Sequence, residues 1–157
     1  MDSDKTKAWE YLKNNHLAVL ATISSHDGNP QASLVFYVTD DDFYLYLVIN
    51  QDSRKMQNIA KNNHVALVIG QENKPMSMQV VGTAEILEDS EKKDIVAKQY
   101  LDIAKASNPN SPNWPPIMKI RTLTDFVFLK ITIDWCKFSD FQGSEAYTIE
   151  GNPTDWK

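Results

Sequence analysis

The sequence predicts a mainly β fold of the α+β class: antiparallel strands forming a small barrel, with flanking helices. Three observations point there. Residues 17–50 hold three strand-like runs joined by short turns, a meander. Gly82 falls in the middle of a long strand-like run, where a barrel needs a bulge or bend. Strands and helices do not alternate strictly, and no Gly-rich phosphate loop with a trailing acid is present, which disfavours a doubly wound parallel sheet.

Residues 4–15 predict a short amphipathic helix, with Ala8, Trp9 and Leu12 facing inward and Tyr11 beside them. Leu17 to Ile23 is the first strand, and Asp27-Gly28 the turn signal after it. Gln31 to Thr39 is the second strand. Ala32, Leu34, Phe36 and Val38 share one of its faces; Gln31, Ser33, Val35, Tyr37 and Thr39 share the other. Asp40 to Asp42 turns the chain into a third strand over 43–50, rich in aromatic and β-branched residues. A helix over about 53–61 follows, closed by Asn62-Asn63. Strands over 64–69 and 76–87 flank a loop from Gln71 to Pro75. Residues 89–105 form a second amphipathic helix, with Ile95, Val96, Tyr100, Leu101, Ile103 and Ala104 as apolar positions. Ser107 to Pro116 is a loop rich in proline and asparagine that carries Trp114. Phe126 to Phe138 is the final strand, with Val127, Leu129, Ile131, Ile133 and Trp135 on one face. The tail from Gly143 is polar but holds Tyr147, Ile149 and Trp156, apolar enough to dock on the body or on a partner.

Length and charge bound the rest. The 157 residues suffice for one domain, 1–157, with its core over about 9–141 and a C-terminal tail over 143–157. A net charge of −5 without a basic stripe argues against a nucleic-acid binder. No apolar run is long enough for a membrane span, and the first residues lack a signal-peptide core, so the expected location is cytoplasmic. Cys136, the single cysteine, reads as a buried thiol. His16, His26 and His64 are scattered and show no metal-ligand spacing. No Gly-x-Ser-x-Gly elbow or Cys/His pair suggests a hydrolase. Asp40 to Asp42 lacks a calcium-loop pattern. No acid–base set can be assembled, so the chemistry of any enzyme here would reside in a bound cofactor.

One junction stands out. Asp52-Ser53-Arg54-Lys55 lies between the third strand and the first residues of a helix. It brings a hydroxyl, two cations and free backbone N–H groups together, equipment suited to a phosphate. The same residues also read as a helix cap beside a solvated cation pair. The residues alone leave both readings open.

Four segments, in order and spacing, resemble the flavin-binding split barrels of the pyridoxamine 5′-phosphate oxidase-like family. They are Leu17–Ile23 with Asp27-Gly28-Asn29-Pro30; Ser33 to Val38; Asn50 to Lys55 with Asn58-Ile59 and Asn62 to Leu67; and Gln79 to Leu87. The likeness spans about Trp9 to Phe141 and is closest to the general-stress-protein-like branch. It implies a six-stranded split barrel, a homodimer, and FMN in clefts between the subunits. It further implies that Arg54 and Lys55 hold the FMN phosphate, with Ser53 as a hydroxyl donor. Ser33, Leu34, Val35 and Phe36 would line the ring, and Val48 and Ile49 the ring or ribityl chain. Ser77 and Gln79 would reach the ring's pyrimidine edge, and Trp135 or Phe141 would approach from the partner subunit.

The chain also departs from the family pattern. Ser33 stands where members often have arginine, and Ile49 where a hydroxyl is common. Val38, Ile95 and Gln99 occupy the positions of the Lys, Tyr and Arg that bind a vitamin B6 phosphate, and no Arg-x-His follows Phe141. The implied function is a flavin-dependent oxidoreductase of unassigned substrate, with NAD(P)H or another small reductant as donor. The alternatives are a non-catalytic flavin-binding or flavin-sensing protein, or a split barrel that takes haem or a deazaflavin.

Overall fold

The computed structural model describes residues 3–107, 109–110 and 125–156. The elements are α1 (Ser3–Asn14), β1 (Leu17–Ile23), β2 (Pro30–Thr39), β3 (Tyr44–Asn50), α2 (Arg54–Lys61), β4 (His64–Gln71), β5 (Lys74–Ile86), α3 (Ser90–Ser107), β6 (Phe126–Asp140) and β7 (Tyr147–Gly151), then a 3-10 turn over Pro153–Trp156. Six strands close in the order β3-β2-β1-β4-β5-β6 and back to β3, all antiparallel. This is the predicted six-stranded barrel. The Pro-rich segment that includes Trp114 lies largely outside the described residues. No helix among the described residues is long and apolar enough to cross a membrane.

Local chemistry accounts for most boundaries. Gly28 takes φ +71° in the β1–β2 turn, a conformation glycine adopts without penalty. Asp40 Oδ1 accepts the backbone N–H groups of Asp42 and Tyr44, shaping the β2–β3 turn. The expected strand start at Phe43 shifts to Tyr44, because Phe43 holds φ +67° and ends the turn instead. The expected loop at 71–75 shrinks to Glu72 and Asn73, since Gln71 already pairs with Lys74.

Two apolar clusters hold the fold. Inside the barrel, Leu20, Tyr37, Leu47, Leu67, Leu129 and Phe138 are nearly or wholly inaccessible. Outside it, Phe36, Val38, Tyr46 and Val48 pack against Val96, Tyr100 and Ala104 of α3. The second half of β2 is therefore buried on both faces, so the two faces predicted for it are both covered from Val35 to Thr39. Ile95, expected among the apolar positions of α3, is 54% exposed. Helix α1 covers one end of the barrel: Tyr37 Oη donates to the Leu12 carbonyl at 2.8 Å, and Tyr11 Oη to that of Met76 at 3.1 Å.

The tail docks on the body. β7 pairs with Cys136–Asp140, and Trp156 is buried against the main core. Lys7 Nζ donates to the buried Asp140 carboxylate and holds that carboxyl below its ordinary range. Burial pushes the Cys136 thiol up to about 12, as expected of an inert buried cysteine.

Strand β6 carries the bend. Gly82 faces Ile133 and Val81 faces Trp135, which leaves Asp134 as an extra residue. Beyond it the inward phase moves from Ile131 and Ile133 to Cys136 and Phe138. Trp135, predicted to share the face of Ile131 and Ile133, is for that reason only half-buried. An added Cβ on Gly82 would lie 2.4 Å from the Thr132 carbonyl oxygen. Gly82→Ala is expected to destabilise the barrel by roughly 1–3 kcal/mol in denaturant unfolding. Gly70→Ala, whose nearest neighbour would stand 3.9 Å away, provides the contrast and should change little.

Candidate functional site

The end of the barrel opposite α1 is polar inside. Thr22 of β1 faces Gln31 of β2, and Leu20 faces Ser33. These positions continue the inward rows that run deeper as Ala18 and Leu20, and as Val35 and Tyr37. Helix α2 packs over this end. Ser53 is its N-cap, and the serine Oγ accepts the Met56 N–H at 3.3 Å. Asn50 Oδ1 accepts the Asp52 N–H at 2.9 Å and shapes the turn before it. The capping reading of this junction is thus correct for Ser53. The cations, however, turn toward a cavity.

That cavity has a volume of about 330 Å³ and is lined by Thr22, Gln31, Ala32, Ser33, Arg54, Lys55 and Asn58. Lys55 is half-buried, and burial alone lowers its pKa from the ordinary lysine value. Among the described residues neither Arg54 nor Lys55 forms an ion pair. A desolvated cation without a carboxylate is costly unless an anion arrives.

Lys55 also borders a smaller, mostly apolar cavity of about 90 Å³. Its other walls are Leu34, Val35 and Phe36 of β2, Val48, Ile49 and Asn50 of β3, Tyr100 and Phe126. Tyr100 Oη donates to the Phe36 carbonyl at 3.2 Å, and its ring meets Phe36 edge-on with centroids 4.7 Å apart. One cationic side chain therefore joins a polar compartment to an apolar one.

Of the residues singled out from sequence, Ser33, Arg54 and Lys55 line the first cavity, and Leu34, Val35, Phe36, Val48 and Ile49 the second. Ser53 caps the helix beside them. Ser77, Gln79, Trp135 and Phe141 line neither cavity. Ser77 faces Gly70 and Ser139, and Gln79 faces Val68 and Lys137, while Phe141 is 56% exposed. Thr22, Gln31 and Asn58 were not foreseen. Their signal was faint: Gln31 and Ser33 are polar residues on the strand face that also carries Val35 and Tyr37. Among the described residues no group of three or more His, Cys, Asp and Glu could hold a metal ion.

A second region holds His16. Its Nδ1 lies 3.1 Å from the Tyr37 carbonyl oxygen, its ring stacks on Phe36, and burial lowers its pKa. It borders a cavity of about 320 Å³ with Asn14, Asn15, Gln71 and Ser107.

Comparison with known proteins places this architecture. No curated protein matches the sequence. Among solved structures, General Stress Protein 26 from Bacillus anthracis is 23% identical with a TM-score of 0.64, covering 87% of this chain and 94% of its own. A haem-binding protein from Mycobacterium smegmatis is 17% identical with a TM-score of 0.71, and this chain, covered to 99%, spans 60% of its length. ChuZ from Campylobacter jejuni is 18% identical with a TM-score of 0.70, covering 95% of this chain and 60% of its own. The family model described as pyridoxamine 5′-phosphate oxidase matches residues 5–140. With that match, over a closed antiparallel barrel of the same kind as these structures, the chain belongs to the pyridoxamine 5′-phosphate oxidase-like split-barrel family.

Proposed function

We propose that this protein binds FMN between two copies of the chain and works as a flavin-dependent oxidoreductase. The observation that carries this reading is Lys55, a half-buried cation without an ion-pair partner among the described residues, between a polar and an apolar cavity. FMN has the matching polarity, a phosphate at one end and a planar ring at the other. Arg54, Lys55 and Ser33 would hold the phosphate, with Ser53 at the helix end. Leu34 to Phe36 with Val48 and Ile49 would contact the ring. The bound flavin would supply hydride transfer, with NAD(P)H or another small reductant as donor. This chain's own part is to neutralise the phosphate, position the ring and exclude water from one side of it.

The apolar cavity, at about 90 Å³, falls well short of the hundreds of Å³ that enclose a ligand of this size. The missing wall would come from a second copy. Leu34, Val19 and Val68 form a cross-strand row on the outer barrel face, exposed by 55%, 43% and 50%. Leu17 and Val81 extend the patch. An apolar sheet face of this extent is suited to burial in a symmetric dimer. Gln79 lies in that row and Trp135 beside Val81, so a partner could present them to the ring.

A vitamin B6 phosphate is disfavoured as substrate. Val38 is fully buried against α3, and the Gln99 amide donates to the Thr39 carbonyl at 2.9 Å. Neither is placed to replace the family's second phosphate grip.

Haem binding is the second reading, favoured by His16 and by the structural likeness to the mycobacterial haem-binding protein. Held at Nδ1 by a carbonyl and kept neutral by burial, His16 has an Nε2 lone pair suited to iron.

The purified protein is expected to show a flavin absorption spectrum, or to acquire one with added FMN, and to be bleached by NAD(P)H. A Soret band instead would favour haem. A stable flavin spectrum without bleaching by either nucleotide would favour the non-catalytic role. Lys55→Ala should weaken FMN binding roughly 10- to 100-fold, the worth of a charged hydrogen bond. Wild-type affinity should fall as pH rises through the lowered Lys55 range, because only protonated Lys55 attracts the phosphate; the variant should lack this dependence. Val68→Asp should shift the protein from dimer to monomer in light scattering and weaken FMN binding with it.

A further inference from the structure

The phosphate grip has lost the cation that the family often carries at Ser33. The polar cavity nevertheless contains a network built from neutral side chains. Asn58 is wholly buried. Its Oδ1 accepts the backbone N–H of Ser25 at 2.9 Å. A backbone N–H can only donate, so this bond settles which way the Asn58 amide points. The Asn58 Nδ2 group then must donate, and it reaches Thr22 Oγ1 at 3.0 Å and Gln31 Oε1 at 2.9 Å. Gln31 therefore spends its carbonyl oxygen on Asn58. Its NH2 group has no acceptor among the described residues, and the side chain lines the cavity that holds Arg54 and Lys55. Thr22 Oγ1, which accepts from Asn58, keeps its own hydrogen free to donate.

From this chain of hydrogen bonds we infer that Gln31 and Thr22 are anion-binding donors of the phosphate site, with Asn58 as the positioning residue that presets both. The inference rests on the FMN reading above and deepens it. A free glutamine at a cavity wall can offer an anion either its NH2 or its oxygen, and only the first is attractive. Fixing the amide from behind removes the repulsive orientation before the ligand arrives. The polarity runs one way through the network, from the Ser25 N–H through Asn58 to Gln31, and each bond polarises the next. Neutral donors complete the shell around a dianion without adding a third cation beside Arg54 and Lys55. This chain would thus replace charge with preset hydrogen bonding.

The test compares FMN with riboflavin, which shares the ring and lacks the phosphate, by flavin fluorescence on wild type, Gln31→Glu, Gln31→Met and Lys55→Ala. Gln31→Glu still accepts from Asn58 but turns a negative, donor-free group toward the cavity. It is expected to weaken FMN at least about tenfold, a change of one decade in Kd, with riboflavin affinity unchanged. Gln31→Met, which removes the donor without adding charge, should give a smaller loss, about threefold or more, again for FMN alone. Riboflavin binding serves as the check on folding in every variant. If wild type and Lys55→Ala prefer FMN over riboflavin by different factors and both Gln31 variants match wild type, the Gln31 assignment is overturned while the phosphate site stands. Equal loss of FMN and riboflavin in both variants would mean a structural role and would also overturn it. No FMN preference in wild type would overturn both.

Discussion

Closure of the barrel through β6 is the constraint on which the rest of this structure depends. This strand pairs along its first half with β3, along nearly all its length with β5, and along its last residues with β7. A flat strand could not serve all three. Removing one side chain at Gly82 and adding Asp134 to the opposite strand let the sheet turn the corner. The close approach of Gly82 to the Thr132 carbonyl leaves no space for a Cβ. Because the sheet closes, β3 ends beside the start of β6, and the chain leaving β3 enters α2 at the open end of the barrel.

That placement explains why a helix cap and a cation pair belong to the same four residues. Ser53 must cap α2, because the first turn of a helix leaves N–H groups unpaired. The next two side chains project from the first turn, and α2 lies against β1. Lys55 is consequently drawn from water into a wall shared by two cavities. Its lowered pKa is the physical mark of that position. Arg54 stays exposed at the rim, where its charge is held more cheaply.

β2 does four jobs along ten residues. Its inner face is polar near Gln31 and Ser33 and apolar at Val35 and Tyr37. Its outer face is open at Leu34 and covered by α3 from Phe36. A single strand thus supplies the polar cavity, the barrel core, the apolar cavity and the exposed patch. Such a strand cannot show one clean period, and the partial alternation of its sequence reflects this division.

Much of the fold was legible in the sequence because it follows from local rules. The turn at Gly28, the cap at Ser53 and the bend at Gly82 each depend on a few neighbouring residues. That Arg54, Lys55 and Ser33 and the apolar residues of β2 and β3 gather around the two cavities was legible through a family resemblance joined to the chemistry of a helix start. The tertiary structure alone decided the rest. The phase change after Asp134 reoriented Trp135, which no period measured along one strand reveals. The tail became β7 because the β6 edge was available to it. Thr22, Gln31 and Asn58 met only when β1, β2 and α2 converged, and the Ser25 N–H then set the direction of their hydrogen bonds. Sequence records what each residue can donate, accept or bury. Which partner it meets, and from which side, is settled only when the barrel closes.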